Sequence, residues 1–167
     1  MASVSARVDR KLQLKEVLDW LVQDGLVEPD PVAKLAQEAR VGSKAASRHP
    51  LVVIAQARLR SRKPPHPVLT ADVLTEWLAA RVKLPFYHID PLKIDLRAVT
   101  QVMSADYAVR RSILPVEVSG SNVTIATSEP LMTAWEGELA QMLRLNIRRV
   151  LANPIDIERY QGEFFNL

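Results

Sequence analysis

The sequence predicts an α+β fold: a helical N-terminal segment followed by a compact α/β sandwich with a small mixed sheet. Three observations lead there. Apolar residues recur at helical spacing through the front of the chain. Two β-rich runs, 113 to 118 and 123 to 127, flank the turn sequence Ser119-Gly-Ser-Asn122, which reads as a hairpin. A helical stripe of Trp135, Leu139, Met142 and Leu143 then separates the second run from a third at 147 to 151, which makes a βαβ crossover with a parallel pair.

The elements follow in order. Leu14, Val17, Leu18, Leu21 and Val22 form one apolar stripe, and Gly25 stands where a left-handed cap ends a helix. Asp30 as N-cap and Pro31 at the first helical position open a second helix through Val32, Leu35, Ala36 and Ala39, giving a helical hairpin. After Pro50 the run 51 to 59 fits a short helix or a buried strand by pattern; its helical neighbours favour helix. Three prolines between 60 and 67 permit only a linker or exposed loop. Thr70 caps a helix carrying Val73, Leu74, Trp77 and Leu78. Residues 86 to 89 are a short strand candidate stopped by Asp90-Pro91, and Ser104 caps a helix of 105 to 111 with Tyr107 and Ala108 facing in. Pro154 opens a last helix through Ile155, Ile157 and Tyr160, and the apolar end Phe164-Phe165 either packs back or marks a cut from a longer polypeptide. The resulting division is a helical subdomain or arm at 1–63, a Pro-rich linker at 64–69 and an α/β domain at 70–167.

Composition narrows the chemistry. With 167 residues, 48% of them hydrophobic, the chain can bury one good core or one core and a satellite. There is no cysteine, which excludes disulfides, thiolate nucleophiles and Cys-based zinc sites and suits a reducing compartment. The N-terminus lacks an apolar signal core, and the apolar run 51 to 55 is far too short to span a bilayer. Residues 1–63 carry 12 Lys/Arg against 7 Asp/Glu, while the remainder carries 10 against 12. Within the basic half, Arg40, Lys44, Arg48, Arg58, Arg60, Arg62 and Lys63 follow one another without an acid, a positive field suited to phosphate or an acidic partner, or equally a solvated helix face plus linker. Nucleic acid is disfavoured, since the basic run has no aromatic residue to stack on bases.

No catalytic pattern emerges. The P-loop Gly-x4-Gly-Lys-Ser/Thr is absent, Gly42-Ser-Lys44 being only a fragment of it. His49, His66 and His88 have no metal-site spacing, so no metal is predicted. Asp90 and Asp95 fit turn and capping roles rather than an acid/base pair. Trp20, Trp77 and Trp135 lie on or beside apolar stripes and read as core, with Trp20 the exception because Val17, Leu18 and Leu21 already fill its helix face.

Residues 70 to 160 carry a capped helix ending in Trp77-Leu-Ala79, then Leu84-Pro85, then Ile89-Asp-Pro-Leu92, the Leu114-Pro115 hairpin and the Ala126-x3-Pro130 turn. This order resembles the N-terminal domain of the traffic ATPases of type II secretion and type IV pili (the general secretory pathway protein E family). The resemblance implies a non-catalytic docking and regulatory module ahead of a hexameric motor, binding the cytoplasmic domain of an inner-membrane platform protein. It also implies a cytoplasmic location peripheral to the inner membrane through that partner, contact with its own ATPase domain, and ATP only in the motor. Partner contacts are expected at Trp20, Arg40, Lys44 and Arg48.

Some relatives in the pilus branch bind cyclic di-GMP through two copies of a motif opening Arg-Leu-Gly and closing with Gln. Aligned on Gly25, the first copy keeps Leu21, Val22, Val27 and Val32 but has Glu16, Val17 and Leu18 at the opening and Ala39 at the close. The second keeps Arg58, Leu59, Leu69, Leu74 and Leu78, with Arg60 for Gly, Lys63, Pro64 and Pro67 in the middle and Arg81 for Gln. The resemblance therefore also implies a cyclic di-GMP sensor with a degraded motif, with Arg58, Arg60 and Arg81 as phosphate contacts.

Overall fold

In the computed structural model, which describes residues 9–41 and 48–166, the front of the chain forms helices α1 (Leu14–Gln23), α2 (Pro29–Val41), α3 (Pro50–Gln56) and α4 (Ala71–Val82). Gly25 closes α1 at φ 75°, the left-handed geometry that glycine adopts without a Cβ penalty. α2 begins at Pro29, ahead of the cap expected at Asp30; Asp30 instead lies in the first turn, where its carboxylate complements the helix dipole. The segment after Pro50 is a helix, capped by His49, whose Nδ1 accepts from the Leu51 N–H at 3.1 Å. It stops at Gln56, short of the expected 59, and Arg58 turns the chain with φ 52°. Thr70 caps α4, its hydroxyl accepting from the Val73 N–H at 3.2 Å. The proline-rich loop before it closes on a single bridge between Arg60 and Val68.

These helices share one apolar cluster in which Leu18, Leu21, Leu51, Ile54, Leu74 and Leu78 are almost completely buried. α4 therefore completes the front helical core, although the proline-rich loop precedes it.

Beyond a 3-10 turn at Pro91–Lys93, the chain forms α5 (Leu96–Val99), α6 (Ala105–Arg111), β1 (Ile113–Ser119), β2 (Asn122–Thr127), α7 (Ala134–Leu143), β3 (Asn146–Leu151) and α8 (Pro154–Phe165). Asp90, Asp95 and Ser104 cap the first three of these turns through their side chains. β2 is central, antiparallel to β1 and parallel to β3, so the sheet is the hairpin plus βαβ unit that the sequence predicts. Ser119 pairs with Asn122, leaving a two-residue loop in which Gly120 takes φ 59°. The expected strand at 86 to 89 reduces to one bridge from Phe86 to Leu151, because Asp90-Pro91 turns the chain before a ladder can extend.

Two of the apolar residues that mark these helices in the sequence do not face inward. Met142 is 72% exposed, the contacts at its end of the core being made by Leu143 and Leu145. Ile155 is 48% exposed because Ile157, Tyr160 and Phe164 form the buried stripe of α8 and a residue two positions away falls on the opposite face. Phe164 packs back into the domain. Gln161, also buried, donates from Nε2 to the carbonyls of Ala108 and Ile113 at 3.0 and 2.9 Å, tying α8 to the end of α6 and the start of β1.

The front of the chain is joined to the sheet domain by a long-range cap. Thr133, at the N-terminus of α7, provides no side-chain cap of its own. Asp9 supplies it instead, one carboxylate oxygen accepting from the N–H groups of Thr133 and Ala134, the latter at 2.9 Å. Loss of a cap costs about 1 kcal/mol, so Asp9→Ala should lower the midpoint of thermal unfolding by about 2–4 °C. Calorimetry giving an unchanged midpoint would show that this contact does not hold the two parts together.

Candidate functional site

A cleft of about 1270 Å³ lies between the front helices and the sheet domain. Its floor includes Leu14, Ala36, Ala39, Val52, Pro154 and Ile155, and Lys11, Lys15, Arg40 and Arg48 line it with positive charge. Val109 and Ile155 present apolar surface there, 47% and 48% exposed. Arg40 sits in the last turn of α2, where a cation complements the carbonyl end of the helix dipole. Arg48 donates to Gln56 at 3.1 Å. The tertiary fold thus brings together two of the residues that the sequence assigns to partner binding; Lys44 lies outside the described residues.

At the inner end of the cleft, Glu129 is only 4% exposed. One carboxylate oxygen accepts from the Leu12 N–H at 2.7 Å, and the other lies 3.8 Å from His49 Nε2. His49 is held from both sides. Its Nε2 donates to the Ser128 carbonyl at 2.6 Å while Nδ1 accepts from Leu51, so a second ring proton would destroy the helix cap. Burial pushes the Glu129 carboxyl up to about 7, against the lowering effects of the Leu12 N–H and Lys11. Burial pushes His49 down to about 4, against the raising effect of the Ser128 carbonyl and with the help of Lys11. Nothing in the sequence marks these two groups as partners, since Glu129 follows a strand and His49 reads as a loop residue. Only the fold brings them together, with Glu129 held by the Leu12 N–H and His49 by Ser128 and Leu51.

The other candidates divide. Trp20 and Arg81, given different roles by the sequence, meet: the Arg81 guanidinium lies 4.8 Å from the Trp20 ring centroid. Arg81 also donates to Asp24 at 2.7 Å and to Gln23 at 3.0 Å, and Asp24 accepts from Trp77 Nε1 at 2.8 Å. Burial alone would raise the Asp24 carboxyl, but the Trp77 and Arg81 hydrogen bonds outweigh it and hold it below the ordinary range. Arg81 is thus bound within the protein. Arg58 and Arg60 are exposed at the turn after α3, and Arg60 donates to the His66 carbonyl at 3.2 Å. Glu16, at the opening of the first motif copy, completes a capping box with Gln13 and is gripped by both terminal nitrogens of Arg10 at 2.6 and 2.9 Å. Of the apolar residues assigned to the motif frame, Leu21, Val27, Val32, Leu69, Leu74 and Leu78 are buried and Val22 and Leu59 half-buried; the Arg62 N–H donates to the Leu26 carbonyl at 2.8 Å.

The buried pair makes a prediction about pH. Between 4.5 and about 7, folded Glu129 holds a proton that the unfolded chain has released, so its contribution to stability falls as pH rises. Between about 4 and 6.5, folded His49 lacks a proton that the unfolded chain holds, so its contribution rises. The two slopes oppose. Glu129→Gln removes only the falling one, and the melting temperature of this variant minus that of the wild type should increase steadily from pH 4.5 to 7. A difference independent of pH would show that the carboxyl is not held protonated.

Among the described residues no helix is long and apolar enough to cross a membrane. The type IV pilus assembly ATPase TfpB of Acinetobacter baylyi is 34% identical over 154 residues, which is 90% of this chain and 26% of the relative's length. The chain therefore spans about a quarter of that protein. A structure of MshE with cyclic di-GMP superposes with a TM-score of 0.55 at 22% identity, covering 92% of this chain and 99% of the other. The N-terminal domain of XpsE is more distant, with a TM-score of 0.49 at 11% identity over 92% of this chain and 97% of its own. The MshEN domain matches residues 82–167, from the end of α4 through the whole sheet. With more than half of its length so matched, the chain belongs to the MshEN domain family.

Proposed function

We propose that this chain is a non-catalytic docking and regulatory module of a secretion or pilus traffic ATPase, and that it binds the acidic cytoplasmic domain of an inner-membrane platform protein. The observation that carries this reading is the cleft, which Lys11, Lys15, Arg40 and Arg48 line together with apolar surface at Val109 and Ile155. The apolar lining supplies contact area, while the excess of cations over Glu129 and Glu158 accelerates encounter with an oppositely charged partner. The similarity to a pilus assembly ATPase supports a motor as the larger context. ATP hydrolysis would then belong to the motor, and the location would be cytoplasmic and peripheral to the membrane through the platform protein. Trp20 is half-buried and covered by Arg81, so it joins this surface only if that pair opens.

The test is titration calorimetry with the cytoplasmic domain of the cognate platform protein. Arg40→Glu together with Arg48→Glu should weaken binding at least tenfold and flatten its dependence on salt. Equal affinity for wild type and double variant would overturn the assignment of this cleft.

A second reading has its own support. The buried apolar frame of both motif copies, together with the likeness to MshE solved with cyclic di-GMP, favours a sensor for that nucleotide. Arg58 and Arg60, exposed and cationic, would meet its phosphates. Cyclic di-GMP at a hundred times its dissociation constant should raise the melting temperature by about 5–10 °C, and Arg58→Ala should abolish the rise. No shift at about 1 mM nucleotide, far above a micromolar dissociation constant, would end the idea.

A further inference from the structure

We propose that Asp72, His88 and Asp156 form a binding site for a divalent transition-metal ion, of the zinc or manganese type, that staples the helical front to the sheet domain. The site is independent of the docking cleft and of the motif turns. Its three side chains come from three separate elements: the first turn of α4, the extended segment after the Phe86 bridge, and the first turn of α8. One donor atom of each lies within 4.8 Å of the other two.

Imidazole and carboxylate donors bind such an ion at about 2.0–2.2 Å, so donors sharing a tetrahedral ion stand about 3.3–3.6 Å apart. Closing the remaining gap takes about 1 Å of side-chain movement, for which Asp72 and His88, exposed, and Asp156, half-buried, have room. One of the three is already aimed. Asn153, itself buried, caps α8 through its Oδ1 and donates from Nδ2 to Asp72 at 2.8 Å, which holds that carboxylate as an outer-shell group holds a metal ligand.

Charge points the same way. Two carboxylates from different helices face each other, and among the described residues neither has a Lys or Arg nitrogen within 4.0 Å; the adjacent Arg159 pairs with Glu163 at 3.1 Å. A dication between them removes the repulsion. The single imidazole selects a borderline metal over magnesium or calcium, which prefer all-oxygen sets, and three protein donors leave coordination positions for water. Sequence spacing conceals the set because its members are distant along the chain.

The experiment uses the full chain, stripped with chelator, titrated with zinc chloride and in parallel with manganese and magnesium chlorides. Calorimetry should give one zinc or manganese per chain, and a hundredfold excess over the dissociation constant should raise the melting temperature by about 5–10 °C. Magnesium should do neither. His88→Ala, on an exposed side chain, should fold normally and lose the response; Asp156→Asn should lose it too while melting slightly higher than wild type without metal, because the like-charge pair is gone. Responses to zinc that are equal in wild type and both variants, or no binding at about 1 mM zinc or manganese, would overturn the site.

Discussion

Strand β2 has neighbours on both edges and buried side chains on both faces, and alternation along the strand sends Val123 and Ile125 to one core and Ala126 to another. A three-stranded sheet cannot cover such a strand by itself. One face is closed by α8, with Ile157, Tyr160 and Phe164 packed on Leu114, Val116 and Val150; the other is closed by Trp135 and Leu139 of α7 with Ile113. The rest of the molecule is arranged around that requirement. α8 must be anchored at both ends, which it is through the Asn153 cap and the two carbonyls held by Gln161.

The front helices attach to this double-faced sheet through a polar seam rather than by apolar burial alone. Asp9 caps α7, the Leu12 N–H reaches Glu129, and His49 caps α3 while bonding the carbonyl of Ser128. Leu151 adds an apolar link, since it ends β3 yet packs in the front helical cluster. Burying an acid and a base together without a direct hydrogen bond is costly unless both are neutral. The seam achieves this because burial drives Glu129 and His49 in opposite directions.

The two turns at Gly25 and Arg58 rest on buried apolar side chains, while the polar side chains around them are bonded within the protein. Leu21, Val27, Val32, Leu69, Leu74 and Leu78 are constrained by the front helical core. The polar side chains are engaged internally: Glu16 by Arg10 and the α1 cap, Arg81 by Asp24, Gln23 and the Trp20 ring. An arginine with two carboxamide or carboxylate partners and an aromatic platform has little left to give to a phosphate.

Much of the secondary structure was legible in the chain because its causes are local. Periodicity placed the helices, Thr70 and Ser104 capped where a hydroxyl must accept an orphan N–H, and Gly120 marked the hairpin turn by its freedom to take positive φ. Local rules misjudged boundaries and exposure where distant residues decided them: Phe86 lacks a ladder, and Met142 is displaced from the core by Leu143 and Leu145. The candidate site was legible only as a basic, acid-free run containing Arg40 and Arg48. That these line one cleft, that Trp20 belongs with Arg81, and that Glu129 is buried against His49 were decided by tertiary packing, because burial and electrostatic partnership depend on which segments meet, and here they meet across almost the whole chain.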